Sequence, residues 1–269
     1  MNSKQGFLIT ADLHLRDTVP TCRTDDFIKA QWNKMDYIAE IIKKKNLYWL
    51  DCGDLFHTAK PSYSLVNHLM YWFRSRNVQI DAAIVGNHDI PAHNLSYLDN
   101  SAWGILNTAG FIKRWLHNGI VHNFDLNDEY TIGITGVNYS ENIDDFTWDE
   151  TLANDTALLY HDMVFRNEKN RIADVPGLIA QELYNKVPFH TIFSGHNHQH
   201  WEWQPNENNS IQIPYEDKQG VFNVGSMTRQ SADQMEHTPC CMLWDGMYRP
   251  QTLELPYRPA EQCMDRGHL

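Results

Sequence analysis

The chain reads as an α/β layered fold, on three observations. Short apolar runs alternate with stretches of helical periodicity through the first half; most of those runs stop at Gly, Asp, Asn or His; and the second half adds further short apolar segments. At 269 residues the chain can bury a sizeable core, and one large domain is the simplest organisation. Strand, helix, strand, helix, strand in succession requires crossover connections, and hence layers.

Residues 6–11 form an apolar run ending in Asp12, as expected of a buried strand. Over residues 25–45, Phe27, Ile28, Trp32, Met35, Ile38, Ala39, Ile41 and Ile42 recur at helical spacing. Lys43, Lys44 and Lys45 end that helix, where positive charge suits the dipole. Residues 47–50 predict a second strand delivering Asp51 to Asp54, and residues 61–76 a second helix with Pro61 near its start. Residues 80–85 predict a third strand that runs into Gly86-Asn87-His88-Asp89, followed by a short helix over 101–110 closed by Gly110.

The later segments are mostly strands. They are expected at 120–124, 130–137, 157–160 leading to His161, 191–194 leading to Gly195-His196-Asn197-His198, 221–224, 240–244 and 251–255. A helix is predicted over 176–186, an acidic loop or irregular helix over 141–150, and a polar turn over 205–210. Residues 1–257 are taken as the domain and 258–269, with little periodicity, as a C-terminal tail.

Composition narrows the function. Thirty-four acidic against twenty-two basic residues give a formal charge of −12, which argues against a general polyanion binder. A metal centre would reverse that sign locally, so an anionic substrate is not excluded. Five cysteines without a framework spacing suggest a reducing compartment, with Cys52 a small core residue and Cys240 and Cys241 on opposite sides of a strand. No run approaches the length of a membrane span and the N-terminus lacks a signal-peptide pattern, so the expected location is cytoplasmic, with no membrane partner.

The motif-bearing strand ends converge on one chemistry. Asp12 and His14, two apart, would project to one side of an extended backbone, and His196 and His198 repeat that spacing after Gly195. Asp54, behind Gly53, offers two oxygens that could bridge cations about 3.5 to 4 Å apart. Asn87 and His88 are adjacent and should face different ways, Asn87 toward a metal and His88 toward substrate, with Asp89 orienting His88. A single histidine at such a place would ordinarily be structural. Here His14, His57, His88, His161, His196 and His198 all fall at or near predicted strand ends beside Gly, Asp or Asn, which chance does not readily produce. Mixed imidazole and carboxylate ligation suits Mn²⁺, Fe²⁺ or Zn²⁺ better than Ca²⁺ or Mg²⁺.

In this order, Asp12-x-His14, Gly53-Asp54, Gly86-Asn87-His88-Asp89, His161 and Gly195-His196-x-His198 resemble the calcineurin-like metallophosphoesterase signature, over residues 7 to about 230. The resemblance implies a four-layered α/β/β/α sandwich and two divalent ions, Mn²⁺ first, with Fe²⁺, Zn²⁺ and Mg²⁺ as alternatives. It places Asp12, His14, Asp54 and His198 on one ion and Asp54, Asn87, His161 and His196 on the other. Gly53-Asp54-Leu55-Phe56-His57 with Lys60-Pro61-Ser62, and Gly225-Ser226-Met227-Thr228-Arg229-Gln230, resemble more narrowly the SbcD-type DNA double-strand-break repair nucleases, phage versions included. That branch implies DNA as substrate, cut as exonuclease, endonuclease or both in repair or recombination. It also implies a phosphate-positioning role for His57, an SMC-like (SbcC-type) ATPase partner and a homodimer, while His88, by its place facing substrate, could stabilise the transition state or protonate the leaving alkoxide. Such nucleases continue into a DNA-capping domain, for which 269 residues leave little room, so no separate capping domain is expected.

The rival enzyme reading is a phosphatase or phosphodiesterase acting on a small-molecule or protein phosphoester, favoured by the acidic charge. A non-catalytic scaffold would be free to lose the ligand set, which is complete. Arg229 is a candidate phosphate contact, and Trp201 and Trp203, at alternating spacing, are candidate base-stacking residues set against an aromatic packing face. Leu69, Tyr71 and Trp72 are candidate exposed apolar residues for a homodimer face.

Overall fold

A computed structural model describes residues 3–126, 130–148, 153–205 and 219–265. Among the described residues, thirteen strands and four α-helices follow one another in chain order. They are β1 (Phe7–Thr10), α1 (Phe27–Lys45), β2 (Tyr48–Asp51), α2 (Tyr63–Arg76), β3 (Ala82–Ala83), α3 (Ala102–Thr108), β4 (His122–Leu126) and β5 (Tyr130–Val137). There follow β6 (Asp155–His161), β7 (Val164–Phe165), β8 (Leu178–Ile179), α4 (Ala180–Lys186), β9 (Thr191–Gly195), β10 (Trp201–Trp203), β11 (Gly220–Asn223), β12 (Cys240–Trp244) and β13 (Gln251–Glu254).

The strands make two large sheets, ordered β13-β12-β1-β2-β3 and β10-β11-β9-β6-β5-β4, and a small β7-β8 pair. Period-two alternation builds the layers. In β1, Leu8 joins Trp49, Met35, Ile38, Leu69 and Phe73 beneath α1 and α2, while Phe7 and Ile9 turn the other way. There they meet Ile132, Ile134, Leu159, Phe193 and Phe222 in a core between the two sheets. On the far face of the second sheet, Leu158, Ile192 and Val221 pack with Ala180 and Leu183 of α4. The result is helix, sheet, sheet, helix.

Local chemistry explains the helix ends. Asp26 caps α1 by accepting from Lys29 N, and Ser62 caps α2 by accepting from Leu65 N, each at 3.1 Å. Both helices stop at an asparagine in left-handed conformation, Asn46 and Asn77, with lysines 43–45 filling the last turn of α1.

Several sequence expectations are corrected. The third strand is only two residues long, because Ile80 and Ala83 bridge singly to Ile112 and Trp115 of the following loop. The helix expected over 176–186 begins at Ala180, since Leu178 and Ile179 pair with Val164 and Phe165 and the Glu182 carboxylate accepts from Ile179 N. Leu69 and Trp72 are not exposed: they belong to the buried stripe of α2 with Leu65, Val66 and Phe73, and only Tyr71 faces outward. Residues 258–265, read as a tail, are docked: Asp265 N donates to Cys22 O, Thr24 N donates to Cys263 O, and Cys22, Cys263 and Met264 share a small apolar cluster. Trp201 and Trp203 pack on the α4 side of the second sheet. The polar turn expected over 205–210 lies, beyond Pro205, outside the described residues. No helix among the described residues is long and apolar enough to cross a membrane.

Strands β1, β2 and β3 run parallel, as do β5, β6, β9 and β11 in the other sheet. Loops at the carboxyl ends of parallel strands are where such sheets place their sites.

Candidate metal centre

The chain leaves β1, β2, β3, β6 and β9 at one edge of the sandwich, and their trailing residues meet there. Asp12 N donates to Gly53 O, His14 N to Asp54 O and Leu15 N to Leu55 O, so the first two loops run side by side past their strands. The spacing of Asp12 and His14 predicts that they share one side of an extended backbone. They do converge, but through left-handed backbone, with φ of 49° and 44°; Asp54 (58°) and His196 (76°) share that conformation. Four non-glycine residues held this way in one cleft mark a place where surrounding structure overrides local preference.

Three groups of side chains result: Asp12, His14 and His198; Asp54, His161 and His196; and His14, His57 and His88, which shares His14 with the first, the candidate ligand atoms of each lying within 4.8 Å of one another. In the first, His14 Nε2 and His198 Nε2 point at the same locus, 2.9 Å apart, with Asp12 Oδ1 4.0 Å from His14 Nε2. In the second, Asn87 Oδ1 sits 2.9 Å from His196 Nδ1 and 3.3 Å from His161 Nε2. Asp54 joins them. Its Oδ2 is 3.6 Å from His14 Nε2 and 3.5 Å from His161 Nε2, fully buried and without a hydrogen-bond partner.

A buried carboxylate oxygen with no donor is costly unless something positive meets it. Equidistance from both groups is what a bridging ligand requires. The donor set of carboxylates, imidazoles and one amide oxygen therefore fits two divalent cations of the first transition row. Burial holds the His14 ring well below its usual range and, together with His161, takes His196 down to about 3, so both are neutral and free to ligate; burial would lower His161 too, but the Asp54 carboxylate outweighs it and holds that ring up to about 10, so an ion there would have to displace its proton. Burial would raise Asp54, but the neighbouring His161 ring outweighs it and keeps the carboxyl ionised.

Glycine is required at two positions. A Cβ on Gly86 would lie 2.1 Å from Asp54 Oδ1, and one on Gly53, at φ 94°, 2.6 Å from His161 Nδ1.

His57 and His88 stand beside the first group. Their rings are stacked, 5.5 Å between centroids, and His88 meets His14 edge-on at 4.7 Å. His88 Nδ1 lies 2.7 Å from His57 O. A carbonyl can only accept, so the His88 proton resides on Nδ1 and Nε2 is left to meet a ligand.

Asp89 does not orient His88. Its buried carboxylate accepts from Asp54 N at 2.8 Å, Gly86 N at 3.0 Å and Phe56 N at 3.2 Å, and so clamps the turn that presents Asp54. Arg229 does not face the cleft either. Its guanidinium donates to His237 O and Arg258 O and lies over the Tyr257 ring, because the docked C-terminal segment supplies acceptors on that side.

Other supporting residues escaped the sequence reading. His161 Nδ1 is 2.6 Å from Cys52 O, Gln234 hydrogen-bonds His198 Nδ1, Gln230 Nε2 donates to His14 O, and Tyr139 stacks on His196. Tyr139 follows β5 much as the candidate ligands follow their own strands, and that position is the signal for it. Gln230 and Gln234 lie on a loop with no periodicity to flag them.

The model of the calcineurin-like phosphoesterase family matches residues 6–200. No curated protein matches the chain. Among solved structures, a 5'-nucleotidase precursor from Thermus thermophilus is similar in fold at a TM-score of 0.48 and 12% identity, covering 97% of this chain and 55% of that one. The chain thus spans about half the length of that protein.

Proposed function

Because the chain belongs to the calcineurin-like phosphoesterase family, whose chemistry is metal-dependent phosphoester hydrolysis, we propose that its substrate is DNA, cut at phosphodiester bonds with two divalent ions, Mn²⁺ first. The observation that carries the reading is the His57–His88 pair beside the metal ligands. Burial, followed by Arg16 and His88, takes His57 down to about 4, so it meets the substrate as a neutral imidazole. A dianionic monoester calls for guanidinium or ammonium groups to match its second charge, whereas a diester carries only one. A neutral His57 beside a dinuclear centre suits the diester.

When bound, the two ions supply positive charge that neutralises phosphoryl oxygens and lowers the proton affinity of an attacking water. The residues do the rest. His57 orients a non-bridging oxygen, and His88, whose Nδ1 proton is held by the His57 carbonyl, passes to the departing alkoxide a second proton taken up from solvent at Nε2, a step worth about 10²- to 10⁴-fold. The carbonyl of His57 keeps the His88 ring aimed. The motif resemblance that suggests DNA also suggests an SMC-like ATPase and a second copy of the chain as partners, and both belong to this proposal.

A Mn²⁺-dependent assay on end-labelled linear, hairpin and circular DNA, run beside a chromogenic phosphomonoester, tests it. Cleavage of DNA with little monoester turnover is expected. Turnover of the monoester alone would establish the rival phosphatase reading, which the net charge of −12 favours.

A further inference from the structure

A second site lies away from the cleft, between the start of α1, the loop around Arg229 and the docked C-terminal segment. It is a cavity of about 330 Å³. Two of its lining cations, Lys34 and Arg229, are only 3% and 5% exposed. Buried charges are ordinarily paired with an opposite charge. Neither of these is. Of the two lining carboxylates, Asp25 is taken by Arg23 in a two-point pair at 2.9 and 2.8 Å and the exposed Asp26 caps α1 by accepting from Lys29 N, while Arg229 donates, among the described residues, only to backbone carbonyls. Lys34 makes no hydrogen bond or ion pair within the described residues. Lys29 and Arg258, both exposed, add positive charge at the rim. In a chain with a formal charge of −12, this concentration of cations around one hollow needs a counter-charge.

We propose that the cavity binds a phosphate-class oxyanion, either inorganic phosphate or the phosphate of a mononucleotide, held by Lys34 and Arg229 with Lys29 and Arg258 at its mouth. A planar guanidinium and a buried ammonium are the complementary pair for such an anion, one forked and one a point charge. The size is adequate for either source. Burial, then Arg23, takes Lys34 down to about 8, and an anion would reverse that push. The site goes beyond the proposed nuclease activity and does not depend on it.

The test is titration calorimetry of the full chain, metal-loaded and again in EDTA, with inorganic phosphate and dAMP in separate arms. Binding that survives EDTA is expected, since this cavity uses no metal. Lys34→Met, which keeps the buried stem, should weaken it at least tenfold. The exposed double variant Lys29→Ala/Arg258→Ala, which leaves the core intact, should weaken it several-fold. Tighter binding of dAMP than of phosphate identifies a nucleotide as the ligand, and equal binding identifies the bare anion. The proposal is overturned if no binding occurs at millimolar phosphate, if binding vanishes with EDTA and so belongs to the metal centre, or if neither variant alters it.

Discussion

Replacing Asp89 tests the architecture of the centre most directly. Its carboxylate is fully buried and satisfies three backbone N–H groups, those of Asp54, Gly86 and Phe56, at 2.8, 3.0 and 3.2 Å. Asp89→Ala strands all three. A buried donor left without an acceptor costs about 1 to 3 kcal/mol, and with partial relaxation the sum should reach about 3 to 5 kcal/mol, a large share of a typical domain's stability. Asp89→Asn should cost less, since its remaining oxygen can serve the two amides that share Oδ2 while its NH₂ opposes Phe56 N. Urea unfolding followed by tryptophan fluorescence, in EDTA, measures both. Because Asp89 fixes the turn that presents Asp54, metal affinity should also fall about 10- to 100-fold. If Asp89→Asn instead cuts turnover while stability and metal content stay at wild-type levels, Asp89 acts on His88 and the clamp assignment is wrong.

Four further outcomes are expected. His88→Ala should lower turnover by about 10²- to 10⁴-fold with metal content unchanged, and loss of metal would make His88 a ligand instead. EDTA should abolish activity and Mn²⁺ restore it, and Mn²⁺ at a hundredfold excess over its dissociation constant should add about 2.7 kcal/mol to unfolding stability; an unchanged melting temperature would contradict the unpartnered Asp54 oxygen as a metal-seeking group. Leu69→Ala should cost about 2 to 5 kcal/mol while leaving sedimentation unaltered, whereas a change of association state without destabilisation would put Leu69 on a surface. Burial raises the Glu202 carboxyl, but hydrogen bonds from His200 and Arg249 outweigh this and hold it at about 2, below its ordinary 4.5. Its stabilising effect is therefore complete above about pH 4.5 and fades as pH falls toward 2; acid unfolding of Glu202→Gln should be shallower through that window, and superimposable curves would deny the interaction.

Elements that depend on nearby residues were legible. The stripe of α1, where Phe27, Met35, Ile38, Ala39 and Ile42 are buried, is written in spacings of three and four. The convergence of Asp12, His14, Asp54, Asn87, His161, His196 and His198 was legible too, because parallel strands bring their ends to one edge whatever their separation in sequence. What failed was orientation set by distant partners. Asp89 could be placed near His88 but not turned toward three amides, and Arg229 could be placed in a motif but not turned toward Arg258 O. Leu178 and Ile179 became a strand through pairing with β7, which helical periodicity cannot foresee. The misjudged face of α2 was avoidable, since Leu69 and Trp72 share one stripe with Leu65, Val66 and Phe73, and Tyr71 lies off it.

The metal ligands come from five strand ends between Asp12 and His198, contributed by both large sheets. Neither sheet alone holds enough of them to make either group: Asp12 and His14 need His198, and Asp54 needs His161 and His196. The centre is therefore complete only where both sheets are docked. Ions held there would tie one sheet to the other, so their affinity would report on how firmly the two sheets sit together.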